Sequence, residues 1–68
     1  MKNIIKVERA RNNLTQADLA TRVKVSRQTI IAVESGRFIP SALLAFKIAE
    51  VLHCRVDDLF QLEDTDRE

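Results

Sequence analysis

The 68-residue sequence has only one glycine, one proline and one cysteine, and it contains no long apolar run. Without an extended apolar stretch no segment predicts a membrane span, and without a stretch rich in glycine or proline there is no flexible linker. The first residues also lack the apolar block and small-residue cleavage site of a secretory signal. We therefore expect a cytoplasmic protein whose main part is one small domain.

Side chains that carry catalysis or bind metals are equally scarce. His53 is the single histidine and precedes the single cysteine, Cys54. One cysteine cannot form an internal disulfide, and no further ligands cluster around it, so we interpret Cys54 as a buried structural residue. Asp57 and Asp58 are interpreted as charges near a helix N-terminus rather than as a metal site. We expect no enzymatic activity, metal or cofactor.

The charged residues are unevenly distributed, although the formal net charge is only +1. Up to Arg37 eight basic residues face three acidic ones, whereas the rest of the chain has three basic and seven acidic residues. A domain with this separation can turn its basic side toward nucleic-acid phosphates while its acidic end points away. The small net charge therefore does not argue against DNA as a partner.

Hydrophobic periodicity predicts an all-α fold, a compact bundle of about five short helices. The first helix is expected over residues 2–12, with Ile5, Val7 and Ala10 on its inner face, although residues 1–4 can instead begin extended. The fourth helix, over residues 42–52, is apolar nearly all round, which is typical of a central helix with several neighbours. Leu43 and Phe46 lie off its inner stripe, so they pack either under loops or against a second subunit.

The last helix is expected over residues 56–60. Beyond it the periodicity is lost and acidic residues accumulate, so we divide the chain into a domain over residues 1–62 and an acidic tail over residues 63–68 that should fray. Residues 60–62 can instead add a short strand, which would give a small terminal β-ribbon.

Two short amphipathic helices lie between Leu14 and Arg37, joined by a tight turn. Thr15 and Ser26 are expected to cap their N-termini, and Asp18 suits the positive end of the first helix dipole. Gly36 can take a positive φ and end the second of these helices, and Ser41 is expected to cap the next helix. Apolar residues at helical spacing let the two helices pack on each other, namely Leu19, Ala20 and Val23 in the first and Ile30 and Val33 in the second. This is the layout of a helix-turn-helix that reads DNA.

The opposite stripe of the second helix should face outward, and it begins with two side chains suited to base edges. Arg27 can grip the O6 and N7 of guanine with two donors, and Gln28 can pair with the N6 and N7 of adenine. Thr29 suits a phosphate or a thymine methyl, while Ile31 and Ala32 suit methyl groups or shape. Ser26 and Ser35 complete this expected DNA-binding surface.

Five blocks, TQADLATRV, VSRQTI, ESGRFIPS, ALLAFKIAEVL and VDDLF, make nearly the whole chain resemble the phage-repressor and Xre-like (lambda-repressor-like) helix-turn-helix family. The resemblance implies phosphate contacts from Gln16 and Arg37. It also implies an ion pair between Glu34 and Arg9 that ties the first helix to the recognition helix. Lys24 departs from the family pattern, which has glycine in the turn, and a positive φ there would be strained.

The resemblance implies a transcriptional regulator, with a repressor favoured, that binds a pseudo-palindromic site on double-stranded DNA as a homodimer. In some small members of the family a C-terminal strand pairs with N-terminal residues and builds the dimer, which makes Ile4, Ile5, Phe60 and Leu62 the candidate contacts. An antitoxin-type or other protein-interaction module uses the same domain, so a further protein partner stays open at this point.

Overall fold

The computed structural model describes residues 1–67 and confirms a bundle of five short helices with a small terminal ribbon. The helices are α1 (Ile5–Arg11), α2 (Gln16–Val23), α3 (Arg27–Glu34), α4 (Ala42–Val51) and α5 (Val56–Leu59). Two strands, β1 (Lys2–Asn3) and β2 (Phe60–Gln61), form the ribbon, and a 3₁₀ helix follows over Asp64–Arg67.

The predicted N-caps are present at three helix starts. The Thr15 hydroxyl accepts a hydrogen bond from the Asp18 amide at 3.0 Å, and the Asp18 carboxylate accepts one from the Thr15 amide at 3.0 Å. This reciprocal pair satisfies two backbone donors and, through the Thr15 amide first and then its hydroxyl, lowers the pKa of the Asp18 carboxyl. Ser26 and Ser41 cap α3 and α4 with single hydrogen bonds.

Each of the five helices contributes one completely buried aliphatic side chain to a shared core: Ile5, Leu19, Ile30, Ile48 and Leu59. The centre of α4 adds Ala45 and Ala49, whose small side chains suit a helix that packs against both α2 and α5. Because so few residues build this core, each large aliphatic side chain in it carries a large share of the stability.

The first helix is shorter than predicted, and only one of its residues, Ile5, is fully buried. It begins at Ile5 because residues 2–3 are extended, and the Asn3 side chain accepts a hydrogen bond from the Ile5 amide at 3.1 Å. Val7 and Ala10 were expected on the inner face, but Val7 is half exposed and Ala10 is exposed. The prediction for these two residues was wrong, because they are two and five residues from the buried Ile5 and therefore lie on other faces of the helix. Ile5 itself, expected as a candidate dimer contact, is completely buried and is not available to a partner.

The terminal ribbon pairs two segments of the same chain. The strands are antiparallel, with Lys2 opposite Gln61 and Asn3 opposite Phe60. The Phe60 side chain turns inward and is buried in the core, which corrects the expectation that this residue lies exposed for a partner. Ile4 and Leu62 do remain exposed beside the ribbon.

The acidic segment after the ribbon also departs from the expectation of a frayed tail. The N-terminal amine of Met1 lies 3.1 Å from carboxylate oxygens of both Glu63 and Asp66. These hydrogen bonds, with that to Glu63 the stronger influence, raise the pKa of the Met1 amine, and a bond from the Glu63 amide lowers the pKa of the Asp66 carboxyl. Glu68, the last residue of the predicted tail, lies outside the described residues.

Cys54 is partly buried and packs against the core, and burial raises the pKa of its thiol. Among residues 1–67 no cluster of three or more His, Cys, Asp or Glu side chains is arranged to hold a metal ion. None of the helices in that part of the chain is both long enough and apolar enough to cross a membrane.

Candidate nucleic-acid interface

The turn between α2 and α3 is made by Lys24 and Val25. Lys24 adopts a left-handed conformation with φ of 61°, and the Val25 amide donates to the Ala20 carbonyl at 3.0 Å. The positive φ at a residue with a side chain costs roughly 1 to 2 kcal/mol. The strain expected from the sequence is therefore present, and the packing of the two helices offsets it.

Buried side chains fix how α3 lies on α2. Ala20 and Val23 of α2 and Ile30 and Val33 of α3 are all buried. Because Ile30 and Val33 occupy one side of α3, the stripe on its other side faces away from the core.

The outward stripe of α3 is polar at both ends. Arg27 and Gln28 at its start and Ser35 at its end are exposed, whereas Ile31 and Ala32 in the middle are half buried. Such a surface offers two long hydrogen-bonding side chains and a small apolar step between them. This arrangement suits base edges and thymine methyl groups in a groove.

Two hydroxyl residues at the start of α3 are engaged with each other. The Thr29 amide donates to the Ser26 hydroxyl at 3.2 Å, and the two hydroxyl oxygens lie 3.0 Å apart. Ser26 therefore caps the helix in this structure while remaining exposed at its N-terminal end.

The ion pair that the family resemblance implied is present. The Arg9 Nε donates to Glu34 Oε2 at 2.6 Å and Arg9 Nη2 donates to Glu34 Oε1 at 3.2 Å. Both side chains are largely buried, and Arg9 also donates to the Leu14 carbonyl. The pair ties α1 to the C-terminal end of α3.

Gln16 extends this pair toward the start of α3. Its Nε2 donates to Glu34 Oε1 at 3.4 Å, and its Oε1 lies 3.5 Å from Nη2 of Arg27. The four side chains Arg9, Glu34, Gln16 and Arg27 thus form a chain of contacts across α1, α2 and α3. Periodicity carries no signal for the Gln16 links, because they join helices that meet only in the folded domain.

The end of α3 is held from two sides. Gly36 takes a φ of 80°, as predicted for the residue that ends this helix, and the Arg37 Nε donates to the Ser35 hydroxyl at 3.2 Å. On the other side the Asn3 amide group donates to the Val33 carbonyl at 3.0 Å. Nothing in the sequence pattern indicates this role of Asn3, because the contact joins residues thirty positions apart.

Four cations lie within α2 and α3 or shortly after them in the sequence: Arg22, Lys24, Arg27 and Arg37. All four are exposed, and within residues 1–67 no carboxylate lies within 4.0 Å of their charged groups. Each is therefore accessible to a phosphate. Asp57 of α5, in contrast, lines a groove that contains no residue of α2 or α3 within residues 1–67.

A tight turn, a buried contact between two short helices and an exposed stripe on the second helix together define a helix-turn-helix domain. The family model for helix-turn-helix matches residues 5–59, so the chain belongs to the helix-turn-helix family.

Curated relatives agree with this assignment. The chain is 55% identical over 64 residues to an uncharacterized HTH-type transcriptional regulator of Methanocaldococcus jannaschii, covering 94% of this chain and 97% of that protein. It is 44% identical to an uncharacterized HTH-type transcriptional regulator of Archaeoglobus fulgidus, over 94% of this chain and 90% of that protein. The identity is also 44% to the uncharacterized HTH-type transcriptional regulator YgzD of Bacillus subtilis, over 94% of this chain and 97% of that protein.

Proposed function

We propose that the protein is a cytoplasmic transcriptional repressor that binds a pseudo-palindromic operator as a homodimer, with α3 in the major groove. DNA-binding transcription regulation is supported by the family and by the names of the relatives. The observation that carries the proposal is the outward stripe of α3, which opens with exposed Arg27 and Gln28 while its opposite side is locked in the core.

Arg27 and Gln28 read bases in this proposal. The Arg27 guanidinium suits guanine and the Gln28 amide suits adenine, and Ile31 and Ala32 add contact with methyl groups. The long contact from Arg27 to Gln16 holds the guanidinium near the start of α3 before DNA is bound. Less side-chain freedom is then lost on binding.

Gln16 and Arg37 hold phosphates on either side of the recognition helix. Gln16 lies at the N-terminus of α2, where free backbone amides favour an anion, and Arg37 lies just beyond the end of α3. Hydroxyl groups lie at both ends of α3, from Ser26 and Thr29 at its start and from Ser35 at its end. Contacts to phosphates fix the position of α3 and carry no sequence information themselves.

One domain of this size contacts only a few base pairs, so two copies are needed for a specific site at cellular salt. In such a dimer the two Gln28 side chains enter successive major grooves, about 34 to 36 Å apart. Repression then requires only that the bound dimer overlaps a promoter. Placing a selected site within a promoter should lower expression of a reporter gene, and a rise instead would make the protein an activator.

Selection of binding sites from random DNA tests base reading. We expect the wild type to enrich a two-fold symmetric sequence, and Arg27→Ala to cost about 1 to 3 kcal/mol on it while relaxing the preference at one base position. The matched control is Arg67→Ala with Gln61→Ala, which removes the same side-chain types from exposed positions outside α2 and α3. Equal sites and affinities for the wild type and the Arg27→Ala, Gln28→Ala variant would show that α3 does not read bases.

The salt dependence of binding tests the phosphate contacts separately. Removing Arg37 should weaken binding about equally on specific and random DNA and lower the salt slope by about one unit. Gln16→Ala should also weaken both, with little change of slope because its amide is neutral. A loss confined to the specific site would contradict the phosphate role of Arg37.

A further inference from the structure

An apolar groove lies between α4 and α5, on a part of the surface that contains no residue of α2 or α3 within residues 1–67. Its volume is about 780 Å³, and Leu43, Phe46, Val56 and Phe60 contribute its apolar lining. Leu43 and Phe46 are 67% and 63% exposed, which is unusual for large apolar side chains three residues apart on one helix face. Within residues 1–67 these two side chains are therefore left largely uncovered.

The described tail does not cover the groove. Glu63 and Asp66 contact the Met1 amine beside the ribbon, and neither residue lines the groove. Residues 63–67 of the same chain therefore leave the groove open.

The charges around the groove favour a second copy of the chain. Lys47 and Glu50 lie on the same face of α4 as Leu43 and Phe46, line the groove and have no ion-pair partner within residues 1–67. In a two-fold interface the same patch meets itself, so a patch of one charge sign repels itself and a patch with both signs can attract itself. Lys47 of one copy can pair with Glu50 of the other, twice.

From the groove, its exposed side chains and its balanced charges, we infer that the homodimer forms by packing this α4–α5 surface against its copy in a second molecule. The inference rests on the proposed homodimer and goes beyond it by placing the contact at Leu43 and Phe46 rather than at the terminal ribbon. Because α3 contributes nothing to the groove, both recognition stripes remain free for DNA.

Two exposed leucines provide a matched pair for the test. Leu43 lies at the groove and Leu62 beside the ribbon, with 67% and 55% of their surfaces exposed, so lysine at either position should leave the monomer folded. Sedimentation across a concentration series should show a dissociation constant of the dimer raised at least about tenfold by Leu43→Lys and unchanged by Leu62→Lys. Circular dichroism of each variant checks that the helices are retained.

Mixing charge variants tests the pairing across the interface without changing the apolar lining. Lys47→Glu alone makes this part of the patch acidic and Glu50→Lys alone makes it basic, so each variant should dimerise more weakly by itself. An equimolar mixture should form a heterodimer more stable than either homodimer. Restored association on mixing cannot come from a contact within one chain.

Cys54 supplies an independent readout because it is the single cysteine and lines the groove. Its rate of alkylation should fall as the wild-type protein is concentrated, and should not depend on concentration in the Leu43→Lys variant. The reference is the same reaction in denaturant, where the groove no longer exists.

The outcomes separate the inference from the proposed function. Loss of the dimer with Leu62→Lys but not Leu43→Lys, or a dimer that survives both, would overturn the groove as the interface while leaving a homodimer. Loss of the dimer with both variants would overturn the inference that the groove is the whole interface, because the ribbon would then contribute to it as well. A wild type that stays monomeric at high concentration, and binds one-to-one on an asymmetric site, would refute the homodimer and this interface together. A groove occupied by a different protein would give that last result.

Discussion

The outward faces of α3 and α4 differ in the kind of partner each can accept. The face of α3 opens with exposed Arg27 and Gln28, and exposed Arg37 follows shortly after the helix, whereas the face of α4 exposes Leu43 and Phe46 with charges of both signs. A polar, cationic face suits nucleic acid, and an apolar, electrically balanced face suits protein. In a domain this small, two helices of similar length can therefore serve two different kinds of contact.

The largest expected effect tests whether α3 has one buried and one outward face. Ile30→Ala should lower the free energy of unfolding by roughly 2 to 5 kcal/mol, because Ile30 is completely buried and its removal leaves a cavity in the core. So small a core has few side chains that could move to fill that cavity. The neighbouring Ile31→Ala should cost distinctly less, since Ile31 is only half buried. Denaturant titration measures both, and equal losses would contradict the orientation of α3.

The ion pair between Arg9 and Glu34 should give the next largest effect. Glu34→Gln leaves a largely buried guanidinium without its counter-charge, and we expect a loss of roughly 2 to 3 kcal/mol in unfolding free energy. Asp57→Asn is the matched control in the acidic half, because the Arg55–Asp57 pair is similarly close but exposed. That change should lie within experimental error. A comparable loss in both variants would show that burial does not distinguish the two pairs.

The left-handed residues that follow α2 and α4 should respond alike to glycine. Lys24 and His53 have φ of 61° and 58°, so Lys24→Gly and His53→Gly should each raise the free energy of unfolding by up to about 1 kcal/mol. Lys47→Gly, within α4, is the control and should lower it by about 1 kcal/mol. A destabilised Lys24→Gly variant would mean that the lysine side chain does more than tolerate the turn.

The smallest effects should appear in how the free energy of unfolding depends on pH, for Asp18 at acidic pH and for the Met1 amine at alkaline pH. The lowered pKa of Asp18 means that its cap stabilises the fold above the ordinary value of 3.8, and that this contribution is lost as pH falls through the lowered pKa. The raised pKa of the Met1 amine means that its contacts stabilise the fold below 8.0, and that this contribution is lost as pH rises through the raised pKa.

Two substitutions distinguish these ends in denaturation curves recorded across the pH range. Asp18→Asn should flatten the acidic limb and leave the alkaline limb unchanged. Glu63→Gln should weaken the alkaline dependence, because Glu63 is the main contact of the Met1 amine. An alkaline limb unaffected by Glu63→Gln would contradict the described anchoring of the tail.

Local patterns predicted much of the recognition unit. Thr15, Ser26 and Ser41 were expected as N-caps, Gly36 as the end of α3, and the buried stripes of α2 and α3 follow helical spacing. The contact between Arg9 and Glu34 came from family resemblance, since nothing in residue spacing brings those two positions together. The roles of Arg27 and Gln28 toward DNA remain predictions.

Position within the whole fold decided the features that sequence reasoning missed. Phe60 was expected at the surface and is buried in the core. That outcome depends on which neighbour covers the side chain, and a one-dimensional pattern does not contain that information. Val7, in contrast, lies two residues from the buried Ile5 and hence on another face of α1, so helical spacing itself argues against the expected burial.

The sequence by itself determined where α2, α3 and α4 begin, which side of α2 and α3 is apolar and where the positive charge lies. Those properties depend on residues within one or two helical turns of each other. Only the tertiary structure decided that Gln16 links Glu34 to Arg27, that Asn3 holds the end of α3 and that the two terminal strands pair within one chain. These contacts join residues far apart in the sequence, so they exist only after the core has brought their helices and strands together.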